Sequence, residues 1–159
     1  MPPAAAVCRT VERSSGLLLY RGLLVLTLTR PVYEQMIAHC LAGLPDEACG
    51  LIGGEPSNGA AVTCYPTRNV AASAMLYTVD PREHLRADRD AEANGHEIIG
   101  VFHSHTHTEA YPSPTDVEQA PDPQWHYVLV SLRDIEPVVR SFRIVDGVIT
   151  EEPVRLRSR

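Results

Sequence analysis

The sequence lacks any apolar run close to the roughly 20 residues that a membrane-spanning helix requires. Its N-terminal apolar stretch, Leu17 to Tyr20, is too short for the core of a signal peptide and follows charged residues. The four cysteines show neither CxxC spacing nor the framework of a small secreted protein. These absences predict a cytoplasmic protein in which Cys40, Cys49 and Cys64 act as small buried hydrophobic residues.

The chain also lacks a strong positive charge. Fourteen basic and twenty acidic side chains give a formal net charge of −6. A nucleic-acid-binding surface needs clustered Lys and Arg, and the arginines at 82, 86 and 89 have the spacing of a solvated helix face. With 44% hydrophobic and 21% charged residues, the composition is that of an ordinary folded domain. Residues 1–21, rich in Pro, Ala, Ser and Arg, are expected to form a flexible tail before a single domain over 22–159.

Hydrophobic periodicity and turn residues predict the secondary structure. The pattern predicts strands at 23–29, 47–54, 60–65, 97–102, 126–131, 138–145 and 148–151, with a short extended piece at 75–79. Helices are predicted from Arg30 to Gly43, from Asp80 to Ala93 with a capping box closed by Glu83, and from Ser113 to Pro121. Asp146-Gly147 predicts a type I′ hairpin turn. This order favours an α+β fold in which helices cover a mixed sheet.

The sequence His103-Ser104-His105 follows directly on the most apolar of these strands. Residues i and i+2 of a strand point to the same face, so the two imidazoles can meet at one point. Asp116 follows eleven residues later, and two histidines with one carboxylate are a ligand set of catalytic zinc. The same set also serves non-haem iron(II) oxygenases, and His-x-His alone also occurs in solvent-facing loops.

The spacing His103-Ser104-His105, seven residues, Ser113, two residues, Asp116 resembles the signature of the JAMM (MPN+) metalloproteases. The upstream Glu of that signature is best matched by Glu47, at the entrance of the second predicted strand. The segments PDEACGLIGG, HSHTHTEAYPSPTDV, HYVLVS and RSFRIVDGVITEEPV resemble the small bacterial branch called Mec, over about residues 23 to 155. His107 departs from that branch, where a small residue is usual, and is interpreted as an exposed loop residue.

This resemblance implies a cytidine-deaminase-like MPN core and a single zinc ion bound by His103, His105 and Asp116. It also implies that Glu47 is the general base and that the Ser113 hydroxyl stabilises the oxyanion. Ser104 faces the opposite side of the strand and is expected to be structural. The implied activity is hydrolysis of the bond between the C-terminal glycine of a ubiquitin-like sulfur-carrier protein and cysteine.

Three alternatives stay open at this stage. Some relatives trim a carrier precursor to expose its Gly-Gly terminus, and the motif does not separate trimming from cysteine release. An iron oxygenase would have no need for Glu47 or Ser113. A non-catalytic MPN scaffold is expected to have lost ligands, whereas all of them are present in this sequence.

Overall fold

A computed structural model describes residues 25–158, which form eight strands and three helices. The strands are β1 (Leu26–Thr29), β2 (Cys49–Glu55), β3 (Ala60–Thr67), β4 (Glu97–His105), β5 (His126–Ser131), β6 (Val138–Val145), β7 (Val148–Glu152) and β8 (Val154–Arg157). The helices are α1 (Arg30–Ala42), α2 (Pro81–Ala93) and α3 (Pro114–Glu118). The predicted tail over 1–21 and the first two residues of the predicted first strand lie outside the described residues.

The strands form one mixed sheet in the order β7-β6-β5-β4-β2-β3-β1-β8. The neighbours β4/β5, β1/β3 and β1/β8 are parallel, and the remaining neighbours are antiparallel. β4 therefore lies in the middle, with β2 on one side and β5 on the other. The predicted α+β class, with helices covering a mixed sheet, is confirmed.

Each helix begins where its sequence provides a cap and a proline. Thr29 accepts a hydrogen bond from the Val32 N–H, and Asp80 accepts from the N–H groups of Arg82 and Glu83. Such side-chain oxygens satisfy N–H groups that have no partner within the first helical turn. Pro31 and Pro81 follow these caps, where the missing N–H of proline has no cost.

Helix α1 and helix α2 cover opposite faces of the sheet. The α1 face is packed by Leu26, Met36, Phe102, Val128 and other buried residues. The α2 face is packed by Leu51, Val101, Leu129, Phe142 and others, with Ala87 contributed by the helix. Cys40, Cys49 and Cys64 are buried free thiols, as predicted. Among the described residues, no helix is long and apolar enough to cross a membrane.

The absence of a side chain at Gly50 in β2 leaves room for the ring of Phe102 in the neighbouring strand β4. Gly50 pairs with Phe102, and a Cβ atom at position 50 would lie 2.4 Å from two carbons of that ring. It would also lie 2.6 Å from the carbonyl oxygen of Tyr65. A side chain at position 50 would therefore displace Phe102, which is fully buried beside the strand end that carries the two histidines.

A buried polar network lies at the opposite end of the sheet from those histidines. The Glu152 carboxylate, with no side-chain exposure, accepts hydrogen bonds from His126 Nδ1, Ser141 Oγ and Arg143 Nε. Arg143 also donates to His126 Nε2, which fixes the imidazole with its proton on Nδ1. Next to His126, the Trp125 ring lies 5.8 Å from the His84 ring of α2, centroid to centroid.

One detail of the predicted secondary structure is wrong, and one strand was not predicted. The predicted extended piece 75–79 belongs to none of the described strands, and an isolated bridge joins Val79 to Asn69. Glu83 does not close a capping box, because its carboxylate accepts a hydrogen bond from the Arg68 N–H instead. Strand β8 was not expected, since its residues follow Pro153 and are mostly exposed at the sheet edge. The type I′ turn is confirmed by positive φ angles of 50° at Asp146 and 77° at Gly147.

Candidate metal centre

Strand β4 carries His103 and His105 to one face of the sheet. It continues past its predicted end at Phe102 to His105, because β5 pairs with it up to that residue. Both histidines lie on the α2 face and are buried, with 2% and 5% of their surface exposed. The centroids of their rings are 5.0 Å apart, and their Nε2 atoms are 3.2 Å apart. The i and i+2 geometry therefore brings the two nitrogens together, as the sequence predicts.

The cap of helix α3 places the Asp116 carboxylate opposite these nitrogens. Ser113 Oγ accepts a hydrogen bond from the Asp116 N–H, and Asp116 Oδ2 accepts one from the Ser113 N–H at 2.7 Å. This reciprocal capping box leaves the two carboxylate oxygens facing the histidines. Oδ1 lies 3.3 Å from His103 Nε2, and Oδ2 lies 3.3 Å from His105 Nε2.

The spacing of the ligand atoms in this group is compatible with zinc. Tetrahedral zinc with bonds near 2.0–2.1 Å requires ligand atoms about 3.3 Å apart. The two Nε2 atoms are 3.2 Å apart, and each lies 3.3 Å from a different oxygen of the Asp116 carboxylate. The Nδ1 atom of His105 lies 2.8 Å from the carbonyl oxygen of Glu109, so it carries the proton and leaves Nε2 free to bind metal. His103, His105 and Asp116 thus form a group that can hold one ion.

The charges of this group depend on one another. Burial would raise the pKa of the Asp116 carboxyl, but its contacts with His103 and His105 hold that pKa well below its usual range. Burial lowers the pKa of His103. Burial acts in the same direction on His105, but Asp116 and the Glu109 carbonyl outweigh it and raise the pKa of that imidazole. Asp116 is therefore an ionised carboxylate, which a cationic ligand requires.

Glu47 lies beside the group of His103, His105 and Asp116 and does not belong to it. It directly precedes Ala48 and strand β2, and only 6% of its surface is exposed. Burial raises the pKa of its carboxyl to about 7, with a smaller opposite effect of His105 and a further rise from Asp116. A carboxyl that titrates near neutral pH can both accept and return a proton, which is the property of a general base.

The other predicted site residues also have defined positions. Ser113 stands at the α3 cap, where its oxygen accepts the Asp116 N–H and its own hydroxyl hydrogen remains able to donate. Ser104 points to the other face, where its hydroxyl accepts from the Ala48 N–H at 2.9 Å. The predicted orientation of Ser104 is thereby confirmed. His107 is exposed in the loop after β4, as expected.

Two residues at the centre were not found from the sequence. The Tyr77 ring stacks on His103, with centroids 4.2 Å apart and planes 19° from parallel. Asn69 donates to the carbonyl oxygen of Glu47 at 2.9 Å. Neither has a sequence signal, because a single Tyr or Asn in an irregular segment is ordinary.

Comparison with known proteins agrees with this geometry. The family model of prokaryotic homologs of the JAB domain matches residues 29–145. The CysO-cysteine peptidase of Mycobacterium tuberculosis (strain ATCC 25618 / H37Rv) is 42% identical over 133 residues, which cover 83% of this chain and 91% of that protein. A probable TtuB-protein conjugate cleaving protease of Thermus thermophilus is 34% identical, covering 80% of this chain and 81% of that protein.

Solved structures show the same fold. The solution structure of a Desulfitobacterium hafniense protein is 39% identical, with a TM-score of 0.78, and covers 84% of this chain and 94% of that one. A JAB1/MPN domain protein from Archaeoglobus fulgidus has a TM-score of 0.55 at 14% identity. The match covers 82% of this chain and 97% of that chain. The predicted MPN fold is therefore confirmed.

Proposed function

This chain belongs to the family of prokaryotic homologs of the JAB domain, and we propose that it is a zinc-dependent peptidase acting on a sulfur-carrier protein. In this proposal it hydrolyses the bond between the C-terminal glycine of a ubiquitin-like carrier and cysteine, releasing cysteine. The observation that carries the proposal is the group of His103, His105 and Asp116, in which two imidazole nitrogens 3.2 Å apart each lie 3.3 Å from one oxygen of the carboxylate, a spacing compatible with one zinc ion. The relatives that share this domain are named for cleaving CysO-cysteine and TtuB conjugates.

The residues divide the chemistry between them. His103, His105 and Asp116 would hold a zinc ion, which would supply Lewis acidity and lower the pKa of a bound water molecule to about 7. Glu47 accepts a proton from the attacking water and returns it to the nitrogen of cysteine, which must leave as a neutral amine. The Ser113 hydroxyl donates to the oxygen of the scissile carbonyl as negative charge develops there. This division uses Glu47 and Ser113, which an iron oxygenase would leave without a role.

The short connections of the chain favour a small carrier as substrate. Between the described elements, the longest connection is the thirteen residues 68–80, between β3 and α2. A flexible C-terminal tail ending in Gly-Gly can approach the buried centre closely, because glycine has no side chain to exclude it. We therefore propose a ubiquitin-like partner that inserts its extended tail, while its folded part stays outside.

The test is intact-mass analysis of defined carrier substrates incubated with the zinc-loaded protein. Three substrates are compared: a carrier–cysteine adduct, a carrier with a longer C-terminal extension, and a carrier linked to a lysine side chain. Loss of one cysteine residue, leaving a Gly-Gly carboxylate, is expected for the first substrate. Efficient cleavage of only the carrier with the longer C-terminal extension would indicate precursor trimming. Efficient cleavage of only the lysine-linked carrier would indicate deconjugation.

Two measurements address the metal and the base. Elemental analysis of protein purified without added metal is expected to give about one zinc per chain. Stoichiometric iron with oxygen-dependent turnover would contradict the proposal. Glu47→Gln is expected to keep zinc and fold but to hydrolyse the adduct about 10²–10⁴-fold more slowly. A variant with near wild-type rate would show that Glu47 is not the base.

A further inference from the structure

One side-chain amide organises the irregular connection between β3 and α2. We call residues 68–80 of this connection the overlying segment, because it carries Tyr77 onto His103. Asn69 Nδ2 donates to the carbonyl oxygens of Glu47 and Leu76, both at 2.9 Å. Its Oδ1 accepts from the N–H groups of Ala71 and Thr78, at 3.0 and 2.9 Å. The amide thus uses both of its hydrogens and both lone pairs of its oxygen.

The main chain at Glu47 is held by the overlying segment on both sides. Its N–H donates to the carbonyl oxygen of Ser73 at 2.8 Å, and its carbonyl accepts from Asn69. Strand β2 begins only at Cys49, so the sheet provides no ladder hydrogen bond for Glu47 itself. The next residue, Ala48, exchanges two hydrogen bonds with Ser104 in β4. Glu47 is therefore clamped between the overlying segment and the strand that carries His103 and His105.

We propose that Asn69 is a positioning residue for Glu47. Its amide fixes the carbonyl of Glu47 and, through Leu76, the backbone beside Tyr77, so that the carboxylate and His103 keep one relative position. The proposal rests on the proposed function, because it takes Glu47 as the general base. A general base must reach its proton within hydrogen-bond distance, and a misplacement of about 1 Å can cost on the order of 10²-fold in rate.

A double-mutant cycle tests this role. Asn69→Ala is expected to lower kcat by up to about 10²-fold at saturating zinc. In the Glu47→Gln background the same substitution is expected to cause no further loss, because the group that Asn69 positions is already inactive. An equal loss in both backgrounds would mean that Asn69 acts on the whole fold, and would overturn the proposal. A wild-type rate for Asn69→Ala would overturn it as well.

Two further variants sharpen the comparison. Asn69→Asp keeps the acceptor for Ala71 and Thr78 but loses the donors to Glu47 and Leu76, so it is expected to be impaired like Asn69→Ala. Full activity in Asn69→Asp would overturn the proposal. Asn94→Ala is the matched control, because Asn94 also donates its amide to a main-chain carbonyl, that of Asp90, at the end of α2. It is expected to leave the rate unchanged.

Hydrogen exchange separates this inference from the proposed function. The Glu47 amide is protected by Ser73 and the Thr78 amide by Asn69 itself. Both amides are expected to exchange faster in Asn69→Ala and unchanged in Asn94→Ala, without any need for substrate. The absence of turnover of any carrier substrate would contradict the proposed function. Unchanged exchange of the Glu47 amide in Asn69→Ala would overturn the positioning role, whatever the outcome of the substrate experiment.

Discussion

The Tyr77 ring lies flat against the His103 ring, with 4.2 Å between centroids and 19° between planes. The stack covers one face of an imidazole whose Nε2 atom points at Asp116. His103 projects from the end of β4, and the stacked Tyr77 ring limits rotation of its imidazole. Ring orientation in turn sets the direction of Nε2, the nitrogen that would bind the proposed metal.

Removal of this ring is expected to weaken zinc binding. Tyr77→Leu should lower zinc affinity by about 10-fold, the lower end of the range for residues that orient metal ligands. Tyr77→Phe keeps the stacked ring and should bind zinc as wild type does. Competition with a chromogenic chelator measures both affinities. Equal affinity in Tyr77→Leu and wild type would mean that the sheet alone orients His103.

Glu47 is expected to destabilise the metal-free protein at neutral and higher pH. Its folded pKa is about 7 against an ordinary value of 4.5, so the folded protein holds this proton more tightly than the unfolded chain does. The free energy of unfolding should therefore fall as pH rises from about 4.5 to about 7. Glu47→Gln removes this dependence and should stabilise metal-free protein above pH 7 by about 1–3 kcal/mol. Urea unfolding with chelator at several pH values measures it, and a difference that does not vary with pH would contradict it.

Ser113→Ala is expected to affect rate far more than stability. The loss of the α3 cap should cost about 1 kcal/mol, whereas the loss of a donor to the oxyanion should lower kcat about 10²–10³-fold. Thr29→Ala is a matched control, because Thr29 caps α1 through the Val32 N–H away from the centre. Thr29→Ala should therefore lower the stability of the protein without lowering kcat. Similar kinetics for the two variants would show that Ser113 serves only as a cap.

Glu152→Gln is expected to destabilise the fold without affecting the metal centre. Its carboxylate is fully buried among His126, Ser141 and Arg143, and breaking such a network leaves the guanidinium without its counter-charge. The cost should be about 3–5 kcal/mol. Glu151→Gln, the adjacent residue with a half-exposed pair to Arg140, should cost less than about 1 kcal/mol. Urea midpoints compare the two, and equal midpoints would contradict the prediction.

The pH dependence of this network has the opposite sign to that of Glu47. Burial would raise the pKa of Glu152, but its hydrogen bonds with His126 and Ser141 and the charges around it lower that pKa overall. A carboxyl with a lowered folded pKa contributes stability above its ordinary pKa and loses it as pH falls. The stability difference between wild type and Glu152→Gln should therefore shrink in acid.

The sequence predicted that His103, His105 and Asp116 meet, because the geometry of this group is local. An extended strand is enough to bring His103 and His105 together, and the helix cap that Ser113 and Pro114 predict is enough to place Asp116. Regular elements with strong turn signals, such as β5 and β6, were predicted to the residue. In these cases each side chain is placed by neighbours within a few positions in sequence.

The sequence could not predict features that depend on distant partners. Asn69 acts on Glu47, 22 positions away, and nothing in its own neighbourhood indicates that contact. The extended piece 75–79 joins none of the described strands, and its backbone is bound by the Asn69 side chain and by the Val70 N–H. Strand β8 forms because β1 offers it a parallel partner at the sheet edge. Tertiary contacts override local pattern in all three cases.

The position of Trp125 has a spectroscopic consequence. It is the single tryptophan of the sequence, so all tryptophan emission of the protein comes from the junction of β5 with helix α2. Unfolding traces recorded by tryptophan emission should therefore follow the separation of helix α2 from the sheet.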